Sequence, residues 1–307
     1  MTEMTMGEVM DRLTVTTSQI DKYTGEPVQE FQIVSTKPLR EQIHTFYKGG
    51  VRKGIPLGFH HTNEGFLIRE HELTIISGQN GSGKTMWLSQ VCLNLLEEGH
   101  KVLIASLEMH PMLTISRMIT QRLKGPNPTP EYIDKFVDDM NDNLFIYKQE
   151  GVSTSKDMYA MLNYAHLQDC KVVVIDSLMK MADINEENYD AQKRFVDRLT
   201  VIARQFPIHI FLVAHSKKLK EVNDQPTKND VHGSNHIVNL CDNCITVWRN
   251  RIKEKKMEED KLTDDEKRNI PDVKVFVQKQ RNYIGENGEP TFNFYYDRKG
   301  MRYRDRP

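Results

Sequence analysis

The chain has 307 residues, 38% of them hydrophobic, and its 42 lysines and arginines stand against 43 aspartates and glutamates for a formal charge of −1. That length builds one or two domains with a sizeable core, and that balance excludes a nucleic-acid contact made by overall charge, leaving only local patches. No apolar run is long enough to span a membrane, and the N-terminus lacks the basic and apolar regions of a signal peptide, so the sequence reads as cytosolic.

Residues 1 to about 34 show no clear periodicity and contain the turn signal Thr24-Gly25-Glu26-Pro27, which reads as a flexible arm or the remainder of something longer. A short helix follows, opened by Pro38, carrying Leu39, Ile43 and Phe46 on one stripe and closed by Gly49 and Gly50. That stripe needs a partner, either the chain's own core or a neighbouring subunit. We therefore divide the chain into an arm and linker helix, 1–50, and a main domain, 51–307.

From Leu73 onward short apolar runs alternate with amphipathic ones. The spacing predicts strand 73–76, helix 84–97, strand 101–106, helix 111–123, strand 144–147, helix 155–168, strand 171–175, helix 188–206 and strand 208–213. This alternation implies an α/β fold with a mostly parallel sheet and helices on both faces. Beyond residue 230 the strands 243–248, 273–279 and 290–296 are separated by turns, which suggests antiparallel strands added at one edge. The charged run 251–268 reads as a solvated helix or disordered insertion without chemistry.

The strand 73–76 leads into Gly78, Gln79, Asn80, Gly81, Ser82, Gly83, Lys84 and Thr85, which fits the phosphate-loop pattern G-x-x-x-x-G-K-[ST] at every fixed position. The glycines let backbone N–H groups and the start of the next helix approach an anion. Lys84 would hold the terminal phosphates of ATP or another NTP, and the Thr85 hydroxyl would be a Mg²⁺ ligand. The strand 171–175 ends at Asp176, which would touch that metal or its water. Glu108 stands at the carboxyl end of the strand 101–106 and is the candidate general base, and His215 ends the strand 208–213 where a γ-phosphate could be sensed. Lys217, Lys218 and Lys220 then form a basic loop.

Four cysteines, Cys92, Cys170, Cys241 and Cys244, are too few and too scattered for a disulfide framework. His232, His236, Cys241 and Cys244 have zinc-like spacing, but the cysteines run straight into a buried-looking strand without the glycines of a zinc knuckle, and we disfavour a metal there.

Six elements in this order resemble the RecA-like ATPase domain of hexameric replicative helicases: bacterial DnaB, the phage primase-helicases and mitochondrial Twinkle. They are the phosphate loop, Ser106-Leu107-Glu108-Met109, Ile175-Asp176-Ser177, Val213-Ala214-His215, Asp230-Val231-His232-Gly233-Ser234 running on to Asp242, and Gln278-Lys279-Gln280-Arg281-Asn282. The resemblance spans residues 39–303 and is nearest to the phage and mitochondrial branch, where His215 has its match. It implies Glu108 as base, Asp176 at Mg²⁺, and Lys279 and Arg281 reaching into the next subunit's nucleotide. It also implies Tyr295 or Tyr296 stacking on adenine, and loops with Lys217, Lys218, Lys220, His232, Gly233 and Ser234 on single-stranded DNA. The expected assembly is a ring, six-membered by resemblance, whose linker helix docks on a neighbour and which unwinds duplex DNA in a bacterial or phage-infected cell. The stretch 232–242 lacks the Arg and the Ile-Glu-Gln run of bacterial members, which leaves the strand contacts there open. No primase-like module precedes residue 39, so we expect a separate primase or a longer parent chain. The rival readings are a recombinase or clock-type RecA ATPase that does not unwind, and a nucleotide-regulated loader.

Overall fold

Uninterrupted apolar strands are stable only when both faces are covered, and the way this chain covers them determines its architecture. The computed structural model describes residues 14–15, 31–32, 35–48, 54–184, 188–216, 224–231, 235–283 and 288–306. They fall into two compact units, Met1–Lys53 and Gly54–Pro307. In the first, Thr14–Val15 pairs antiparallel with Phe31–Gln32, and helix α1 covers Arg40–Lys48.

The second unit is built on a nine-stranded sheet, counted among the described residues. In chain order its elements are β1 (Glu72–Ser77), α2 (Lys84–Glu97), β2 (Val102–Ser106), α3 (Pro111–Leu123), α4 (Pro130–Met140), β3 (Leu144–Ile146), α5 (Ser155–Leu167), β4 (Val172–Asp176), α6 (Tyr189–Gln205) and β5 (His209–Val213). After these come α7 (Asn235–Leu240), β6 (Asn243–Arg249), α8 (Arg251–Glu258), α9 (Asp264–Asn269), β7 (Val273–Gln280), β8 (Thr291–Asp297) and β9 (Arg302–Arg304). The strand order is β9-β8-β7-β6-β1-β5-β4-β2-β3. From β6 to β3 all neighbours are parallel, whereas β6 to β9 pair antiparallel at the other edge. The fold is therefore mixed α/β with the parallel core and antiparallel edge that the sequence pattern implies.

Alternation along each strand splits the core in two. Val172, Val174, Phe211 and Val213 face a layer of α2, α3 and α4 with Trp87, Val91, Met118 and Phe136. Their neighbours Val173, Ile175, Ile210 and Leu212 face α5, α6 and α7 with Met158, Leu162, Phe195 and Ile237. Each fully buried aliphatic side chain of this kind contributes roughly 1.5–3 kcal/mol, so the central strands are held from both faces.

Two expectations are corrected. Helix α4 was not foreseen, although Thr129 caps it by accepting from the Tyr132 N–H and Pro130 occupies its first turn. Of the two readings of the charged run 251–268, the largely solvated helix holds and the disordered insertion does not, and one residue departs from a solvated face. The run folds as α8 and α9, and Lys253 is buried between them. The Lys253 Nζ donates to the carbonyls of Lys267 (2.9 Å) and Ile270 (2.6 Å) and pairs with Asp272 at 2.7 Å. A lysine stem packs like a hydrophobe when its ammonium finds such partners.

Candidate functional site

Parallel strands deliver their carboxyl ends to one rim of the sheet, and here that rim forms a cleft of about 610 Å³. Its lining includes Gly83, Lys84, Thr85, Glu108, Asp176 and His215, drawn from the ends of β1, β2, β4 and β5.

The loop 78–85 turns back through three positive-φ glycines, Gly78 (146°), Gly81 (73°) and Gly83 (95°). A Cβ at Gly78 would stand 2.3 Å from the Val247 carbonyl, and one at Gly83 would stand 2.3 Å from the Tyr303 hydroxyl oxygen. A side chain at Gly78 is excluded by space as well as by backbone angle, and one at Gly83 is strained by backbone angle and would have to displace the Tyr303 hydroxyl. Lys84 Nζ donates to the carbonyls of Gly78 (2.8 Å) and Gln79 (3.1 Å). Burial pulls its pKa down to about 8, opposed by the charges of Asp176 and Glu108.

Thr85 Oγ1 donates to Asp176 Oδ2 at 2.6 Å, so the two oxygens expected around a divalent cation already face each other. Burial pushes the Asp176 carboxyl upward, with Thr85 opposing and Glu108 adding to the rise. Glu108 Oε1 accepts from Ser177 Oγ at 3.0 Å and lies 3.4 Å from His215 Nε2. Burial, followed by the charge of Lys84, lowers the His215 pKa and favours its neutral form. Hard carboxylate and hydroxyl oxygens beside a lysine suit Mg²⁺ with a polyphosphate. His215 Nδ1, on a residue that lines this cleft, is buried without a partner among the described residues, which is the state expected of a group that awaits a polar ligand.

Lys279 and Arg281 occupy a different place. Gln280 is opposite Asn243, which is opposite Thr74, and Lys279 is opposite Cys244, which is opposite Ile75. The two basic residues therefore flank the first half of β1, roughly 10 Å (Lys279) and roughly 16 Å (Arg281) along the strand from its own phosphate loop. Lys279 Nζ donates to the carbonyls of Val238 (2.7 Å), Asn239 (3.1 Å) and Cys241 (2.7 Å), capping the end of α7. Arg281 donates to the Asn239 carbonyl at 2.8 Å and pairs with Asp242 at 3.4 Å.

Tyr295 also lies outside the phosphate cleft. It lines a second, basic cleft with Lys253, whose ammonium sits 5.7 Å from its ring. Tyr296 is nearer, its hydroxyl 3.3 Å from the sulfur of Met86, a residue that lines the phosphate cleft. Lys217, Lys218, Lys220, His232, Gly233 and Ser234 lie outside the described residues. Their roots are described: Ser216 bridges Val231, and the Ser216 N–H donates to the Gly78 carbonyl at 3.1 Å. Of the four residues with zinc-like spacing, Cys241 and Cys244 are buried, and burial pushes the Cys241 thiol up to about 12 and that of Cys244 higher still.

The model of the AAA domain matches residues 63–221, just over half of the chain. The chain belongs to the AAA domain family. The match spans the loop 78–85, Glu108, Asp176 and His215, and this family assignment makes the domain a nucleotide-binding one. The Twinkle homolog protein, chloroplastic/mitochondrial, of Arabidopsis thaliana is 24% identical over 310 residues, with 92% of this chain aligned. The chain spans 41% of that relative's length. Among solved structures, a DnaB-like replicative helicase, described with its interactions with primase, superposes with a TM-score of 0.71 at 13% identity, covering 94% of this chain and 70% of that one. A second solved structure, of an ATPase domain, superposes with the same TM-score of 0.71 at 15% identity, covering 89% of this chain and 99% of that one. The fold is thus the RecA-like fold of DnaB-like ATPase domains.

Three charged residues that line the cleft were missed by sequence reasoning. Arg117 of α3 is half-buried at the cleft, where burial lowers its guanidinium pKa and Asp176 opposes the shift. Its only sequence signal is an arginine between the core residues Ile115, Met118 and Ile119, too common to single out. Lys180 lies just past β4, and Arg249 ends β6 and donates to the Gly81 carbonyl at 3.2 Å.

Proposed function

We propose that this domain is the motor of a ring-forming replicative DNA helicase, coupling NTP hydrolysis to movement on single-stranded DNA. The observation that carries the reading is the division of labour along β1. The loop 78–85 stands at its carboxyl end, while Lys279 and Arg281 flank its first half, bonded to carbonyls at the end of α7 and outside the lining of the phosphate cleft. A site divided in this way is completed by a second copy, whose Lys279 and Arg281 would neutralise charge at the transferred phosphoryl group.

Within one copy, Lys84 exchanges the carbonyls of Gly78 and Gln79 for the terminal phosphates. Thr85 and Asp176 would hold Mg²⁺, which supplies charge neutralisation between the phosphates. Glu108 orients the attacking water and accepts its proton, held in place by Ser177 and His215. His215, neutral and next to Glu108, is placed to register the loss of the γ-phosphate. Its strand continues to Ser216, whose N–H shares the Gly78 carbonyl with Lys84 Nζ. Hydrolysis at Lys84 is thereby linked to the root of both loops assigned to DNA. The lysines and loop N–H groups at 217–220 and 232–234 suit the sugar-phosphate backbone and imply binding without sequence preference. The base would lie toward Met86 and Tyr296 rather than Tyr295. A ring of six, docking of α1 on a neighbour, and work beside a primase complete the proposal.

The test is ATP-driven separation of a forked DNA duplex, with turnover measured with and without single-stranded DNA. Strand separation and stimulated turnover are expected. Turnover indifferent to DNA would overturn the motor reading.

A further inference from the structure

Phosphate loops work by aiming N–H groups inward, which turns their carbonyls outward. Each outward carbonyl needs a donor, and the nature of that donor decides how rigid the cradle is. At the apex of this loop the donors are two guanidinium groups from one short segment. Arg251 Nη2 donates to the Asn80 carbonyl at 2.9 Å, and Arg249 Nη1 donates to the Gly81 carbonyl at 3.2 Å. Asn80 and Gly81 are themselves exposed, so water could serve these carbonyls equally well. The arginines are therefore not explained by satisfaction of buried groups.

We infer that Arg251 is a positioning residue for nucleotide binding: it clamps the apex of the phosphate loop from behind, without touching the phosphates. The inference rests on the nucleotide-site reading above and assigns chemistry to the charged insertion. Three observations support it. First, the clamp is rigidly mounted. Arg251 opens α8, which Asn250 caps by accepting from the Lys253 N–H at 3.0 Å. The Asn250 N–H donates to the Asp272 carbonyl at 2.8 Å, and buried Lys253 pairs with the Asp272 carboxylate at 2.7 Å. Second, Arg249 is oriented by Glu254 on the same helix, so both guanidinium groups are fixed by one insertion. Third, Arg251 lies outside the residues lining the phosphate cleft, which separates it from groups that meet the nucleotide directly.

The physical effect is twofold. A cation on a peptide carbonyl polarises that peptide and strengthens the N–H at its other end as a donor to phosphate. Holding the apex also removes loop conformations that would otherwise have to be frozen when nucleotide binds. Both act on affinity in the ground state, so the effect belongs in KM and Kd and leaves the chemical step nearly untouched.

The experiment measures ATP turnover and binding of a fluorescent ATP analogue for wild type, Arg251→Met, Arg251→Lys and, as a control on the exposed face of the same helix, Lys256→Ala. Arg251→Met is expected to raise KM and Kd roughly tenfold with kcat within about twofold, the size expected for one lost charge-assisted hydrogen bond. Arg251→Lys should recover part of the loss because it keeps the charge, and Lys256→Ala should match wild type. Equal affinity of Arg251→Met and wild type, or an equal loss in Lys256→Ala, would overturn the clamp while leaving the nucleotide site intact. Failure of the wild type itself to bind the analogue would overturn the site and the clamp together.

Discussion

The two ends of the central sheet handle charge in opposite ways. At the carboxyl ends of β1, β2, β4 and β5, Lys84, Glu108, Asp176 and His215 face one cleft with Arg117 of α3. Loop carbonyls hold Lys84 and hydroxyls hold Glu108 and Asp176, and the contact between two of these ionisable side chains is Glu108 to His215 at 3.4 Å. At the amino ends the polar groups are interlocked. Asn243 donates to Glu72 (2.9 Å) and Thr74 (3.1 Å), Thr74 meets His209 (2.9 Å), and His209 Nδ1 meets the Arg69 carbonyl (2.7 Å). Asp242 Oδ2 accepts from the Leu73 N–H (3.0 Å), and its other oxygen pairs with Arg281. One end turns its polar groups toward a cleft, and the other uses most of them to hold the strands in register, with Asn243 Oδ1 and Arg69 Nε left without a partner among the described residues. The same residue types therefore mean reactivity at one end and rigidity at the other.

The largest effect should come from the cleft end. Glu108→Gln is expected to lower the hydrolysis rate about 10³-fold while retaining nucleotide binding, as measured by single-turnover hydrolysis beside a binding titration. Retained turnover would mean that Glu108 is a structural acid. On the antiparallel side, Lys253→Ala should cost about 3 kcal/mol in urea unfolding because it strands Asp272 and the carbonyls at the end of α9. A cost near zero would return the insertion to the status of solvated surface. At the interlocked end, Asp242→Asn should cost about 1–3 kcal/mol without changing the affinity for nucleotide.

The two ends should also respond in separate pH ranges. His209 is fully buried, and burial lowers its pKa to about 4, so it is neutral in the fold. The unfolded chain takes up its proton below the ordinary value of 6.5, so stability should fall as pH drops from 6.5 toward 4, by roughly 1.4 kcal/mol per unit. His209→Gln should flatten that slope. Lys84 gives the same sign in a higher range, with a pKa of about 8 against an ordinary value of 10.5. The cost of burying its charge is present in full below pH 8 and is relieved as pH rises from 8 to 10.5, whereas nucleotide affinity should fall above pH 8 as the ammonium is lost.

This contrast also explains what was legible in the sequence. The parallel half could be read directly, because strands buried on both faces must be apolar and their carboxyl ends must carry the polar residues that follow. Helices α2 and α3 form where the amphipathic spacing places them, and the loop glycines mark their own positions. The antiparallel half was harder. Lys253 is written as one charge among many in 251–268, and only three-dimensional packing turns it into a buried anchor. Arg117 and Arg249 reach the cleft from helix and strand positions whose local pattern matches ordinary surface arginines. Tyr295 and Tyr296 both line the second cleft, and no periodicity in so short a strand says that Tyr296 is the one that also meets Met86.

The most direct test of the claim that the two ends belong to one catalytic unit in neighbouring copies is steady-state ATP turnover in mixtures of wild type and Arg281→Ala at fixed total protein, with single-stranded DNA present. The account predicts that Arg281→Ala alone is nearly inactive and that mixtures lose activity faster than in proportion to the mutant fraction, because each mutant copy disables its neighbour's nucleotide. A straight-line dilution, or normal turnover by Arg281→Ala alone, would contradict it.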